Sequence, residues 1–214
     1  MFVHPTAPLC CRTLLPDVSP LVVEIPQDTT RAVTNLLFTG TFARFKDIHF
    51  IFTHAGGNVP MVLGRMHQYA PKNIAEKAPN GIEYELKRLY YDIAGTTDRP
   101  AIAALTSLVP TTQILFGSDN PFVALAETAE GMMQLGFSAG DLQRIGRDNA
   151  LALLPRESTS ALPSPLKVCN ELRFQIEGRR VEHLPQALAA PRHEPTAAVA
   201  ARDVGHHSPH AKGH

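Results

Sequence analysis

Apolar residues over the first 156 positions fall into two alternating patterns. Short, nearly unbroken apolar runs occur at FVH (2–4), IHFIFTH (48–54), RLYYDIAG (88–95) and QILFGSD (113–119). Between them lie longer stretches in which apolar residues recur every three or four positions. The first holds Ala32, Val33, Leu36, Leu37 and Phe42, predicting a helix over 29–44 with Asp28 as its N-cap. Further helices are predicted over 59–69, over 99–109 with Pro100 in the first turn, over 122–135 and over 138–154. Ser138 and Asp141 have the spacing of a capping box, with Asp in place of Glu, and Pro155 closes that helix. Runs that are apolar on both faces belong to strands covered on both sides. The β-α-β-α order therefore predicts a parallel sheet packed with helices, the class that includes the parallel α/β barrel. FVH begins so abruptly that it reads as only the end of a strand.

From about Glu157 the pattern stops. The segment 157–214 is rich in Pro, Ala, Ser and His and keeps no sustained period. Apart from LKVCNELRFQIEG (166–178), it lacks the apolar density needed to offset ordering entropy, so it is expected to be mostly disordered. The chain thus divides into a folded unit, 1–156, and a low-complexity tail, 157–214. The tail holds His183, His193, His206, His207, His210 and His214, a set able to bind metal weakly.

Composition removes several function classes. Among 214 residues, 20 Lys+Arg balance 20 Asp+Glu, so no basic excess argues for nucleic acid or an anionic membrane surface. No run approaches the ~18 consecutive apolar residues of a membrane span. The opening MFVHPTAPLCCRTLLPD lacks the basic and apolar regions of a secretory signal. Cys10, Cys11 and Cys169 are odd in number and form no CxxC, so neither a disulfide framework nor a zinc knuckle is indicated. Cys10 and Cys11 read as ordinary small residues, and a reduced, cytoplasmic setting is expected.

The chemistry is suggested by where polar side chains interrupt the apolar runs. His4, His54 and Asp119 each stand at the C-terminal end of a predicted strand. In a parallel α/β barrel those ends open on one face, and that face carries the reactive groups. His4 and Asp119 offer a nitrogen and an oxygen donor suited to a divalent ion, zinc by default. His54 is either a third ligand or a general acid/base, since imidazole titrates near neutral pH. Each residue also has an ordinary reading: His4 as a surface residue near a terminus, His54 as a satisfied core histidine, and Asp119 as a turn residue before Asn-Pro. Asp47 and His49 lie at the opposite end of their strand and read as surface turn. Arg31, Arg65 and Arg99 are charges able to clamp a carboxylate, Arg65 the most interesting because it follows the Gly56-Gly57 loop. Asp92 lies inside a strand, an unusual place for a carboxylate, and is expected either to face the site or to pair with a nearby base.

Taken in order, these segments resemble a known family. FVHPTAP (2–8), the stretch from Pro20 to Gly57 ending in HAGG, LYYDIAG, ILFGSDNPF and RIGRDNALALLPR (144–156) are similar to the amidohydrolase-related decarboxylases of the aminocarboxymuconate-semialdehyde and resorcylate type. The resemblance implies a (β/α)8 barrel with one divalent metal, usually zinc and sometimes manganese. It implies metal ligation by His4 and Asp119, with His54 as the proton donor/acceptor or the group that polarises metal-bound water. The reaction implied is loss of CO2 from a small aromatic or unsaturated carboxylic acid, with hydrolysis as the related chemistry. The family's strand-one motif, HxH or ExH, is absent from this chain. The match covers about strands five to eight, hence a partial barrel and a truncated enzyme. The alternatives are a non-catalytic remnant or an assembly subunit, completed by a second copy or by a complementing half-barrel chain.

Overall fold

The computed structural model describes residues 1–11 and 14–154. The predicted tail, 157–214, lies outside the described residues. Four short strands, β1 (Phe2–Val3), β2 (Ile51–Phe52), β3 (Tyr90–Asp92) and β4 (Ile114–Leu115), form one parallel sheet in the order β1-β2-β3-β4. The register pairs Phe2 with Ile51, Phe52 with Tyr91 and Asp92 with Leu115. This is the parallel sheet expected from the doubly apolar runs. The ladders are shorter than those runs, because pairing stops where the chain bends into the turns that carry the polar residues.

Helices connect and cover the strands. Between β1 and β2 run α1 (Pro20–Phe38) and α2 (Thr41–Arg44). Between β2 and β3 lie α3 (Val59–Gln68), α4 (Ile74–Lys77) and α5 (Ile82–Lys87). α6 (Arg99–Leu108) joins β3 to β4, with Asp98 accepting from the Ala101 N–H at 2.9 Å as its N-cap. After β4 come α7 (Leu125–Met133), α8 (Ala139–Gln143), a π turn at Arg144–Asp148 and α9 (Asn149–Leu153). Phe52, Tyr91, Ile93 and Ile114 from the sheet are buried against Val33, Leu37, Val59, Leu86, Leu105 and Ile145 from the helices. Phe42 meets Phe50 edge-on at 5.1 Å and Phe52 at 6.1 Å, contacts worth about 0.5–1.5 kcal/mol each beyond area burial.

Three predicted helices depart from their expected bounds, and α4 and α5 were not predicted: the 29–44 helix breaks at Gly40 (φ 72°) into α1 and α2, the 122–135 helix begins only at Leu125, and the 138–154 helix carries a π turn. α1 starts at Pro20, capped by Ser19, nine residues before Thr29. Its first turns escaped the periodicity because Leu21 and Val22 are exposed, so no apolar stripe marks them. Asp28 is therefore not an N-cap; it sits in mid-helix, and its Oδ2 accepts from the Thr6 N–H at 3.0 Å, tying the segment after β1 to α1. The predicted 138–154 helix is present with a π turn inside it. That turn leaves the Ile145 carbonyl to accept from the Phe116 N–H at 2.9 Å, and Asn149 Nδ2 donates to the Thr111 and Ile114 carbonyls at 2.8 and 2.7 Å. The closing helix thus docks onto β4 through polar groups that an unbroken helix would keep for itself.

Candidate metal centre

The turn after β2 is held from several sides. His54 and Ala55 adopt left-handed backbone, with φ of 56° and 55°, which costs of order 1–3 kcal/mol at each non-glycine residue. The Asp92 carboxylate at the end of β3 offsets part of this. Its Oδ1 accepts from the His54 N–H and the Ala94 N–H, both at 3.0 Å. From α1, the Thr30 hydroxyl donates to the Pro26 carbonyl at 2.8 Å and accepts from the Asn58 N–H at 2.8 Å. Gly57 (φ 62°) lies so close to the Pro26 carbonyl that a β-carbon there would overlap it. Gly56 lies against the Tyr91 ring, where a β-carbon would stand 2.7 Å away. The Gly-Gly pair therefore serves packing as well as the turn.

Three strand ends converge at this place. Asp119, after β4, also has left-handed backbone (φ 61°). One ligand-type atom from each of His4, His54 and Asp119 lies within 4.8 Å of the others. The His4 and His54 rings meet edge-on at 5.3 Å, and His4 Nε2 stands 3.4 Å from Asp119 Oδ1.

The hydrogen bonds at the rear of each ring decide which nitrogen faces this cluster. His54 Nδ1 is 2.9 Å from the Ala94 carbonyl, and His4 Nδ1 is 2.8 Å from the Pro5 carbonyl. A carbonyl only accepts, so each Nδ1 carries a proton and donates, and the Nε2 atoms of the neutral rings present lone pairs. His54 Nε2 is buried and has no hydrogen-bond partner. His4 Nε2 faces a carboxylate oxygen, and two acceptors so placed require a proton or a cation between them. An orphaned imidazole nitrogen, a second imidazole and a carboxylate are the donor set of a borderline divalent ion, and the residues present fit one.

Asp92 is the buried carboxylate next to the cluster. Burial pushes its carboxyl above the usual carboxylate range, and the N–H groups of Ala94 and His54 pull in the other direction. Gly117 leaves room for it, since a β-carbon there would stand 2.9 Å from Asp92 Cγ. Arg65 is exposed on α3, its guanidinium 5.0 Å over the Tyr69 ring. Asp47 and His49 are exposed at the far end of β2, as expected of a surface turn. Among the described residues, no helix is long and apolar enough to cross a membrane.

The amidohydrolase family profile matches residues 2–156, which takes in every strand and all three converging side chains. The chain belongs to the amidohydrolase family. Among its relatives is the decarboxylase yanB of Aspergillus niger, 25% identical over 181 residues, which are 78% of this chain and 48% of that protein. Another is the 6-methylsalicylic acid decarboxylase acuB of Aspergillus aculeatus, 25% identical over 73% of this chain and 50% of the relative. The crystal structure of a dihydroxybenzoic acid decarboxylase from Polaromonas sp. JS666, with bound manganese and the inhibitor 2-nitroresorcinol, superimposes with a TM-score of 0.59 at 21% identity. That match covers 72% of this chain and 49% of the other. This amidohydrolase chain thus spans about half the length of the curated relatives it matches.

Sequence reasoning found the three converging side chains because each ends an apolar run. It noted Asp92 as out of place without finding its role, which depends on two N–H groups brought in from different turns. The Ala94 and Pro5 carbonyls that orient the imidazoles left no signal in the sequence at all.

Proposed function

We propose that this chain carries the strand-five-to-eight part of an amidohydrolase barrel and the matching part of a metal-dependent, non-oxidative decarboxylase of small aromatic carboxylic acids. The observation that carries the proposal is the convergence of His4, His54 and Asp119 with the buried His54 Nε2 unpartnered. Relatives named as decarboxylases, one of 6-methylsalicylic acid, support the reaction and the substrate class. His4 and Asp119 would hold the divalent ion; manganese is bound in the Polaromonas structure, and zinc suits the donors equally. Such an ion supplies Lewis-acid polarisation of substrate oxygens.

The chain's own residues supply orientation and the proton. The Ala94 carbonyl fixes His54 Nδ1–H; with His4 and Asp119 as the ligands, Nε2 is left off the ion, takes a proton from solvent and carries it toward the reacting ring carbon. Delivery there makes the new C–H bond; the bond to the carboxylate breaks, and its electron pair replaces the one spent on the proton as CO2 departs. Asp92 holds the His54 backbone and so the direction in which Nε2 points.

The second reading is a half-barrel that assembles with another copy or with a complementing chain before it acts, or that has no catalysis of its own. It is favoured by strands β1 and β4 each having one paired neighbour among the described residues. Metal analysis and CO2 release separate the readings. Stoichiometric zinc or manganese, lost in His4→Ala and Asp119→Ala and kept when the six C-terminal histidines are replaced, supports the metal centre. Metal that follows the C-terminal histidines instead would sink it. CO2 from 6-methylsalicylate or 2,6-dihydroxybenzoate supports the decarboxylase; a metal-loaded chain that releases none supports the second reading.

A further inference from the structure

Cys10 and Cys11 sit side by side in the 3-10 turn Leu9–Cys11, and their Sγ atoms are 3.3 Å apart. Neither is in a disulfide; Cys10 is exposed and Cys11 half-buried. Sulfur–metal bonds of ~2.3 Å drawn to one centre across that 3.3 Å gap subtend about 90°, narrower than the ~109° of tetrahedral zinc. Such an angle belongs to a pyramidal trivalent centre with a lone pair. Cys11 also lines a cavity of about 300 Å³ whose walls include Ala7, Leu15, Val18, Pro20 and Val23. The cavity is mostly apolar, with Glu24 at one side, and is suited to an organic substituent.

We propose that Cys10 and Cys11 form a bidentate site for a trivalent organoarsenical, the two sulfurs chelating arsenic while its apolar substituent enters the adjoining cavity. The step is a condensation. Two S–As bonds form and two As–OH bonds break, and each thiol proton leaves with a hydroxide as water. Arsenic stays trivalent, so no oxidant or reductant is needed. The hydrogen bond shared with the Cys10 sulfur raises the Cys11 thiol above its ordinary range, with burial adding to it. The site shares no residue with the His4, His54 and Asp119 cluster.

The test uses the full chain, reduced, in a Cys169→Ser background so that only this pair is read. Phenylarsine oxide is the probe, followed by intact mass and by iodoacetamide labelling. The expected result is one arsenic per chain and both thiols protected from alkylation, with Cys10→Ser and Cys11→Ser each abolishing the adduct. Both positions are at or near the surface, and circular dichroism checks that the variants fold. Affinity about tenfold higher for the native chain than for the same chain in guanidinium shows that the fold preorganises the pair. Val23→Phe, which narrows the cavity, should weaken phenylarsine oxide about tenfold and leave inorganic arsenite unchanged. Alkylation that proceeds at both thiols, an adduct that survives either Ser variant, or equal affinity in the unfolded chain would overturn the site. Equal effects of Val23→Phe on the two arsenicals would overturn the role of the cavity.

Discussion

Replacing Asp92 tests the support of the candidate site directly. Its side chain is nearly inaccessible, and Oδ1 alone accepts from two backbone donors, His54 N–H and Ala94 N–H, each at 3.0 Å. Asp92→Ala leaves both donors without an acceptor, at about 1–3 kcal/mol apiece for a buried group. The Ala94 donor is buried and bears the full cost, whereas the half-buried His54 donor recovers part of its loss from water. Removing a desolvated carboxylate returns some stability, since burial holds Asp92 above the usual carboxylate range. The net loss expected is about 2–4 kcal/mol. Asp92→Asn keeps an oxygen where Oδ1 stands and removes the buried charge, so it should lie within about 1 kcal/mol of the parent. Urea denaturation of the three proteins measures both values. The left-handed turn at His54 should loosen in the Ala variant, so its metal affinity should fall as well, with Asn retaining most of it. Equal stability of the Ala and Asn variants would refute the reasoning, because it would mean that the two hydrogen bonds do not hold the turn.

Further predictions follow from the same geometry. Gly57→Ala sets a β-carbon against the Pro26 carbonyl at a φ of 62°, so it should cost at least about 3 kcal/mol, measured by thermal denaturation. Asn149→Ala removes the donor to the buried Ile114 carbonyl, while the Thr111 carbonyl keeps the Ile114 N–H, and a loss of about 1–3 kcal/mol is expected in urea unfolding. Asp141 is held below the usual carboxylate range by hydrogen bonds from Ser138, Thr111 and Arg144. A depressed folded value stabilises above the ordinary carboxylate pKa and is lost as pH falls through the depressed one. The Tm gap between the parent and Asp141→Asn should therefore be full at neutral pH and close as pH falls through the depressed value.

Much of the site was legible before any coordinates. A polar residue ending an apolar run is costly to bury and cheap to place at a strand's exposed end, so His4, His54 and Asp119 stood out by position. The parallel sheet followed from runs apolar on both faces, and the cap at Ser138 from a hydroxyl spaced to accept from a first-turn N–H, whereas the Asp98 cap was not read from the sequence. The start of α1 was not legible, because exposed Leu21 and Val22 erase the amphipathic contrast on which a periodicity argument depends. The π turn was hidden too, since its freed Ile145 carbonyl matters only once β4 lies beside it.

Local pattern thus determined the order of the strands and of the longer helices between them, and the identity of the side chains at the strand ends, since these depend on neighbours a few residues apart. Tertiary structure alone decided that those side chains meet, which ring nitrogen each imidazole presents, and why a carboxylate at Asp92 is tolerated inside the sheet. The long-range partners are Asp119 for His4, 115 positions away, Ala94 for His54, 40 away, and His54 for Asp92, 38 away, although the His4 ring is also held by its neighbour Pro5. Hydrogen-bond direction at such range is set by the packing of strands against helices, not by any local preference of the chain.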